Sequence, residues 1–286
     1  MFGSFGIIGC GYVGSAVAAH FRNNGYEVVG TTTSSERLAE LCDLVDHPRI
    51  YRAGDPMADD SFFNRLDGVL IAIAPTTSSS EVDQYEKVYG QAVPALVDAL
   101  RQRKGGNPLH VTYLSSAGVY GDQSGAICNE LTPPDCSNNT NALLACAESS
   151  VLELNDASIQ ACVLRLGGIY GPGMDIPSYI RSAAGQSVRK NGNHINAWVH
   201  LHDIIRGVDF AFERRLQGIY NLVDDLQFTR RQLSNALCDD HGLPPVIWDN
   251  HDRPGARIFN ARVSNARLRE IGFQPSVGSM LEPVAA

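Results

Sequence analysis

A glycine cluster near the amino terminus does most to limit what this chain can fold into. The run Gly9-Cys10-Gly11-Tyr12-Val13-Gly14 follows the short apolar stretch Phe5-Gly6-Ile7-Ile8, and Val13, Ala16, Val17 and Phe21 continue it at helical spacing. Strand, glycine turn and helix in that order open a β-α-β unit. There, glycines let the backbone turn tightly and come close to a pyrophosphate. The first turn of the helix adds N–H donors and a positive dipole. We therefore expect Gly9, Gly11, Tyr12, Val13 and Gly14 to cradle the phosphates of a dinucleotide.

The pattern continues along the chain. Glu27-Val28-Val29-Gly30 follows the helix stop Asn24-Gly25, and Val69 to Ala74 is a continuous apolar strand bounded by Gly68 and Pro75. Residues 82–100 have the pattern of a long helix despite Pro94. His110 to Leu114 forms a strand, 141–154 a helix, and Ala161 to Leu166 a strand. Strands alternating with helices imply parallel β-α-β units with right-handed crossovers. The expected fold is α/β, a Rossmann-type doubly wound parallel sheet. We divide it into a dinucleotide-binding domain over 1–166 and a smaller C-terminal substrate-binding lobe over 167–286, with some of its segments returning to the sheet.

Composition bounds the partners. The 286 residues are 44% hydrophobic and carry a formal charge of −8 spread along the chain, so no basic face points to nucleic acid or a membrane surface. An odd number of cysteines without C-x-x-C pairs, no signal peptide and no long apolar span suit a reducing cytoplasm. No metal-ligand spacing is present. The partner expected is a small-molecule substrate.

The cofactor can be read one step further. An NAD site usually places a carboxylate about 20 residues beyond the glycines, at the end of the second strand. Here the sequence is Gly30-Thr31-Thr32-Thr33-Ser34-Ser35, with no acid before Glu36. The hydroxyls of Thr32, Thr33 and Ser34 and the guanidinium of Arg37 suit a 2′-phosphate. NADP is preferred, with NAD as the alternative, and Arg37 is equally readable as a solvated first-turn side chain.

Further segments extend the argument: Ala53-Gly54-Asp55, Ser115-Ser116-Ala117-Gly118-Val119-Tyr120-Gly121, Leu164 to Gly173, Trp198 to Ile204, and Gly218-Ile219-Tyr220-Asn221-Leu222, together with the glycine run. In this order and spacing the chain resembles the extended short-chain dehydrogenase/reductases, or NAD-dependent epimerase/dehydratase family, almost end to end. The resemblance implies that Asp55 approaches the adenine, that Ala72, Ile73 and Ala74 line the dinucleotide, and that Gly167 to Gly173 border nicotinamide and substrate. It implies that Asp203 opens a helix, which an N-cap role would also explain. It also implies a homodimer through the helices at 82–100 and 141–154.

One departure outweighs these matches. Family members carry a tyrosine and a lysine four apart on the helix after the serine-bearing strand. Here those positions fall on Thr140 and Leu144, and Tyr89 stands where a supporting asparagine is usual. Ser116 is retained of the four. A threonine hydroxyl has no accessible titration, and leucine carries no charge. The catalytic candidates are thus Ser116, Thr140 and Tyr120, with Tyr170, Tyr89, Cys146 and His200 as further substitute acids. For His200 and His202 the expectation is one buried and one exposed histidine in a strand. Two functions follow. One is an atypical NADP-dependent oxidoreductase or epimerase-like enzyme acting on a small carbonyl or sugar-like compound. The other is a cofactor-binding sensor, scaffold or assembly factor without catalysis.

Overall fold

The protein is described by a computed structural model covering residues 3–55, 60–75, 81–104, 106–253 and 257–282. In chain order its first elements are β1 (Ser4–Ile8), α1 (Tyr12–Asn23), β2 (Glu27–Thr32), α2 (Leu38–Leu44), β3 (His47–Ile50) and β4 (Gly68–Ile71). There follow α3 (Glu81–Tyr85), a π-helical stretch (Glu86–Ala92), α4 (Val93–Arg101), β5 (Leu109–Ser116), β6 (Asp122–Cys128), α5 (Asn139–Leu152) and β7 (Ile159–Leu166). The remainder is β8 (Gly168–Tyr170), α6 (Ile176–Arg181), β9 (Ser187–Asn191), β10 (Trp198–His200), α7 (Leu201–Glu213), β11 (Gly218–Leu222), α8 (Arg230–Asp239), β12 (Ile247–Asp249), β13 (Asn260–Val263) and α9 (Ala266–Glu270).

Seven strands form the central sheet in the order β11-β7-β5-β4-β1-β2-β3. Neighbours from β3 through β5 pair in parallel, with Ile7 opposite Gly30 on one side and Leu70 on the other. The fold is α/β with a Rossmann-type sheet. Strand order reverses between β1 and β4, and in such sheets the crevice beyond the carboxyl ends of those strands is the ligand position. β4 is buried along its whole length, as a strand covered on both faces must be.

Local chemistry explains the elements around that point. In α1 the stripe Gly14, Val17, Ala18 and Phe21 is buried. The helix ends where Gly25 adopts φ +84°, with the N–H of Tyr26 on the Phe21 carbonyl and that of Gly25 on Arg22. This is a Schellman stop, which needs a left-handed residue. The expected helix over 82–100 is helical throughout but widens to a π-helix before Pro94. Proline cannot bond back four residues, and its ring presses on that carbonyl. A wider turn before it relieves both.

The chain divides into two units that interleave in sequence. The first comprises 1–115, 142–164 and 205–219, and the second 116–141, 165–204 and 220–286. Residues 205–219 return to the first unit because Phe212 packs edge-on against Phe5, whose ring stacks on Phe21 at 3.8 Å. The second unit has its own core of Tyr170, Leu226, Leu233, Leu237, Val277 and Met280, with Ile176, Ile180 and Trp198 against it. Two-stranded pairs β10-β8, β12-β9 and β13-β6 and the capping box of Thr229 and Gln232 on α8 frame that core.

Candidate functional site

The three glycines of the first turn differ in why they are glycine. Gly9 has φ +97°, and a Cβ there would lie 2.9 Å from the Ala72 carbonyl oxygen. A Cβ on Gly14 would lie 2.1 Å from the Gly9 carbonyl oxygen, where α1 meets its own strand. Both are demanded by the backbone. At Gly11 a Cβ would meet nothing within 4 Å, and φ is an ordinary −82°. The fold therefore imposes no glycine at 11, and the open space in front of it is what a pyrophosphate needs. Tyr12 and Val13 form the first turn of α1, with their N–H groups among the four that a helix leaves unbonded.

The end of β2 backs this loop. Thr31 is buried, its hydroxyl accepting from the Gly9 N–H at 2.9 Å, so it braces the turn. Thr32 is buried too and accepts from the Ser34 N–H, whereas Thr33 is exposed and Ser34 half-buried. Arg37 reaches back to donate from Nη2 to the Cys10 carbonyl at 2.9 Å, with Glu40 at 3.7 Å from its Nε. The guanidinium is thus tethered to the glycine loop by one Nη group while the side chain stays about half exposed at the start of α2. Ala72 follows β4, its N–H on the Ile8 carbonyl, and Ile73 and Ala74 continue along the switch point. Asp55 is exposed in a turn closed by its N–H on Arg52.

The second unit holds the serine turn. Ser116 ends β5 and caps the 3₁₀ turn Ala117–Tyr120, its Oγ accepting from the Gly118 N–H at 3.0 Å. Thr140 lies in the first turn of α5 with its N–H on Asn138 Oδ1. Next to it Asn141 is buried and accepts from Arg257 Nε at 2.9 Å.

Several of the proposed proton donors are enclosed or engaged by their surroundings. Tyr120 is fully buried, its hydroxyl 2.8 Å from Asn221 Oδ1 and 3.0 Å from the Asn129 carbonyl, with Arg165 over its ring. Burial raises its pKa, though Arg165 opposes this. These contacts make it a buried strut of the second unit. Tyr170 likewise donates to Asp224 Oδ2 at 3.0 Å, and burial followed by the Asp224 charge pushes its pKa up. Asp203 does not cap a helix. It sits within the first turn of α7 and accepts from the N–H and hydroxyl of Ser276 and the N–H of Val277, which clasps the C-terminal segment. His200 is buried and His202 exposed, as expected, but His202 belongs to α7 rather than a strand. Burial lowers the His200 pKa. Cys146 is an exposed free thiol, and Tyr89 is buried beside Tyr85.

One polar group escapes the sequence reasoning. Glu148 on α5 is 2% exposed and accepts from the Ser115 hydroxyl at 2.6 Å. The Tyr113 hydroxyl, also in the first unit, is wholly buried without a hydrogen-bond partner among the described residues. Burial raises the Tyr113 pKa well above its ordinary value, with Tyr89 and then Glu148 adding to the effect. A signal for Glu148 existed: Leu144, Ala147, Glu148 and Val151 fall at i, i+3, i+4 and i+7, so the carboxylate stands in the core stripe.

Among the described residues no group of three or more His, Cys, Asp or Glu side chains could hold a metal ion, and no helix is long and apolar enough to cross a membrane.

Comparison with known proteins places these features in context. The model of the NAD dependent epimerase/dehydratase family matches residues 7–222. Protein YeeZ of Escherichia coli (strain K12) is 27% identical over 276 residues, which is 94% of each chain. Among solved structures, a UDP-glucose 4-epimerase from Thermotoga maritima with UDP-glucose superimposes with a TM-score of 0.75 at 17% identity, covering 98% of this chain and 95% of that one. A UDP-glucose 4-epimerase from Thermus thermophilus in complex with NAD gives 0.73 at 21%, covering 96% and 94%.

Proposed function

The chain belongs to the NAD dependent epimerase/dehydratase family, and from that premise we propose that it binds a nicotinamide dinucleotide, NADP in preference to NAD, and acts as an oxidoreductase or epimerase-like enzyme on a small carbonyl or sugar-like compound. The observation that carries this reading is Gly11, a glycine the fold does not require, facing open space between two glycines that it does require. The NAD held by the Thermus structure supports a nicotinamide cofactor in the same fold. When bound, such a group supplies hydride acceptance or donation.

The chain's own residues supply the rest. The loop and first-turn N–H groups of α1 bind phosphate, and Arg37, anchored on the Cys10 carbonyl, offers its charge to a 2′-phosphate. Ser116 offers a hydroxyl whose lone pair steadies the Gly118 N–H. The proton carrier is not the usual one. The lysines of this sequence are Lys87, Lys104 and Lys190, and none lies four residues after a tyrosine.

A second reading, dinucleotide binding without turnover, is favoured by the burial of Tyr120 and Tyr170, which removes two phenols that lie within the retained motifs. For the cell, we place the protein in the cytoplasm, where its free thiols would persist. A homodimer through the helices over 82–100 and 141–154 follows from family resemblance. The test is a fluorescence titration with NADPH and NADH, followed by NADPH oxidation assays across carbonyl compounds and nucleotide sugars. Saturable binding with substrate-dependent oxidation supports the enzyme. Binding with no turnover supports the second reading, and no binding of either dinucleotide removes both.

A further inference from the structure

The serine turn has a cation built against it. Gly118 has no left-handed φ that would call for glycine. What its missing side chain spares is space: a Cβ there would lie 2.8 Å from Arg257 Nη2 and 3.0 Å from Ser116 Oγ. The guanidinium and the hydroxyl therefore face the same small volume. Arg257 is held from behind by Asn141, a buried amide that accepts from its Nε. A buried polar side chain given over to orienting an exposed arginine is a costly arrangement for a merely solvated charge. All four residues belong to the second unit.

We propose that Arg257, positioned by Asn141 and admitted by Gly118, binds an anionic group of the substrate, a carboxylate or phosphate, beside Ser116. A guanidinium presents five donors in a planar fork, and fixing Nε fixes the plane in which the two Nη groups meet an oxyanion. Such a pair is charge-assisted and directional. The cation enters from the C-terminal segment, whereas the helix position that carries lysine in the family is Leu144 in this chain. The inference deepens the functional reading and rests on it in assigning the anion to a substrate. The substrates expected are acidic carbonyl compounds or phosphorylated ones, rather than neutral sugars.

The test is an NMR titration of NADPH-loaded protein, 15N-labelled at arginine, with inorganic phosphate in one arm and acetate in the other. The Arg257 Nε signal is identified by its loss in Arg257→Gln. A saturable shift of that signal with at least one probe is expected, and the stronger arm names the anion. Arg257→Gln should weaken that probe about tenfold or more. Gly118→Ala, which keeps the charge but puts a methyl group against Nη2, should weaken it in the same direction. NADPH affinity should stay unchanged in both variants. If Arg257→Gln also loses NADPH, its fold has failed, and Gly118→Ala with Arg257→Lys decides. No saturable shift with either probe, or equal affinity in the parent and both variants, overturns the proposal. So does a probe bound by cofactor-free protein and expelled by NADPH, since Arg257 would then hold a cofactor phosphate. Failure of the parent to bind NADPH would instead sink the functional reading, and the titration on cofactor-free protein would still decide whether Arg257 binds anions.

Discussion

At the scale of single residues, Gly11 and Gly14 separate ligand binding from folding. Gly14→Ala forces a methyl group to 2.1 Å from the Gly9 carbonyl, so we expect it to lower the melting temperature and distort the loop. Gly11→Val meets no protein atom at its Cβ, so thermal unfolding should match the parent while calorimetry detects no NADPH binding. Tight NADPH binding by Gly11→Val would move the cofactor elsewhere. Arg37 bears on which dinucleotide is chosen. The parent should bind NADPH more tightly than NADH, and Arg37→Ala should narrow the gap by about 1–3 kcal/mol, the scale of a charge-assisted bond. Equal affinities of the parent for both cofactors would assign Arg37 to bracing the Cys10 carbonyl alone. The backbone roles of Gly9 and Gly14 were legible in the sequence because a tight turn and a close helix–strand contact each leave a glycine at a set spacing. The inward turn of Tyr120 was not, because its partner Asn221 lies 101 residues away and nothing local announces the pair.

Among the elements, α5 concentrates what the sequence conveys and what it hides. The sequence places a helix over 141–154, observed at Asn139–Leu152, and strands over 110–114 and 161–166, observed as β5 and β7, while the helix's buried stripe of Leu144, Ala147, Glu148 and Val151 recurs every three or four residues. That Glu148 joins the stripe was readable in principle. Yet a carboxylate is so seldom buried that its place depends on the Ser115 hydroxyl, which lies on another element. The same stripe argues against simple restoration of the family pair. Leu144 is 1% exposed, so Thr140→Tyr with Leu144→Lys would bury an ammonium group where a leucine packs. We expect a folded but destabilised double variant that binds NADPH and gains no turnover on nucleotide sugars over the parent. New activity in that assay would mean that the helix has kept the geometry of the ordinary mechanism.

For the whole molecule, two buried groups set opposing responses to pH. His110 in the first unit is buried, with Nε2 3.0 Å from the Leu216 carbonyl, and burial brings its pKa from 6.5 down to about 4. Between those values the unfolded chain binds more protons, so this histidine makes stability fall as pH drops from 6.5 towards 4. Asp224 in the second unit goes the other way. Burial raises its carboxyl from 3.8 to about 7, against the hydrogen bonds from the Leu226 N–H and Tyr170 that lower it. Over that range the native state binds more protons, so stability falls as pH rises from about 4 to 7, and the loss is complete above 7. The two slopes share one window and oppose each other, so the parent should show a flat profile from these two groups. Neither slope could be read from the sequence, since an aspartate in Leu222-Val223-Asp224-Asp225 has the pattern of a loop acid until the fold encloses it. Asp224→Asn keeps the shape and an oxygen for the Leu226 N–H while removing the charge. We expect it to be more stable than the parent at pH 8 by on the order of 2 kcal/mol, with the advantage vanishing near pH 4, where the parent's carboxyl is already neutral. Freed of the opposing term, the variant should also lose stability steadily from pH 6.5 to 4 as the protonation cost of His110 sets in. Urea unfolding midpoints measured across pH 4 to 8 check both statements, and a variant whose profile merely parallels the parent's would mean that Asp224 stays ionised in the folded protein.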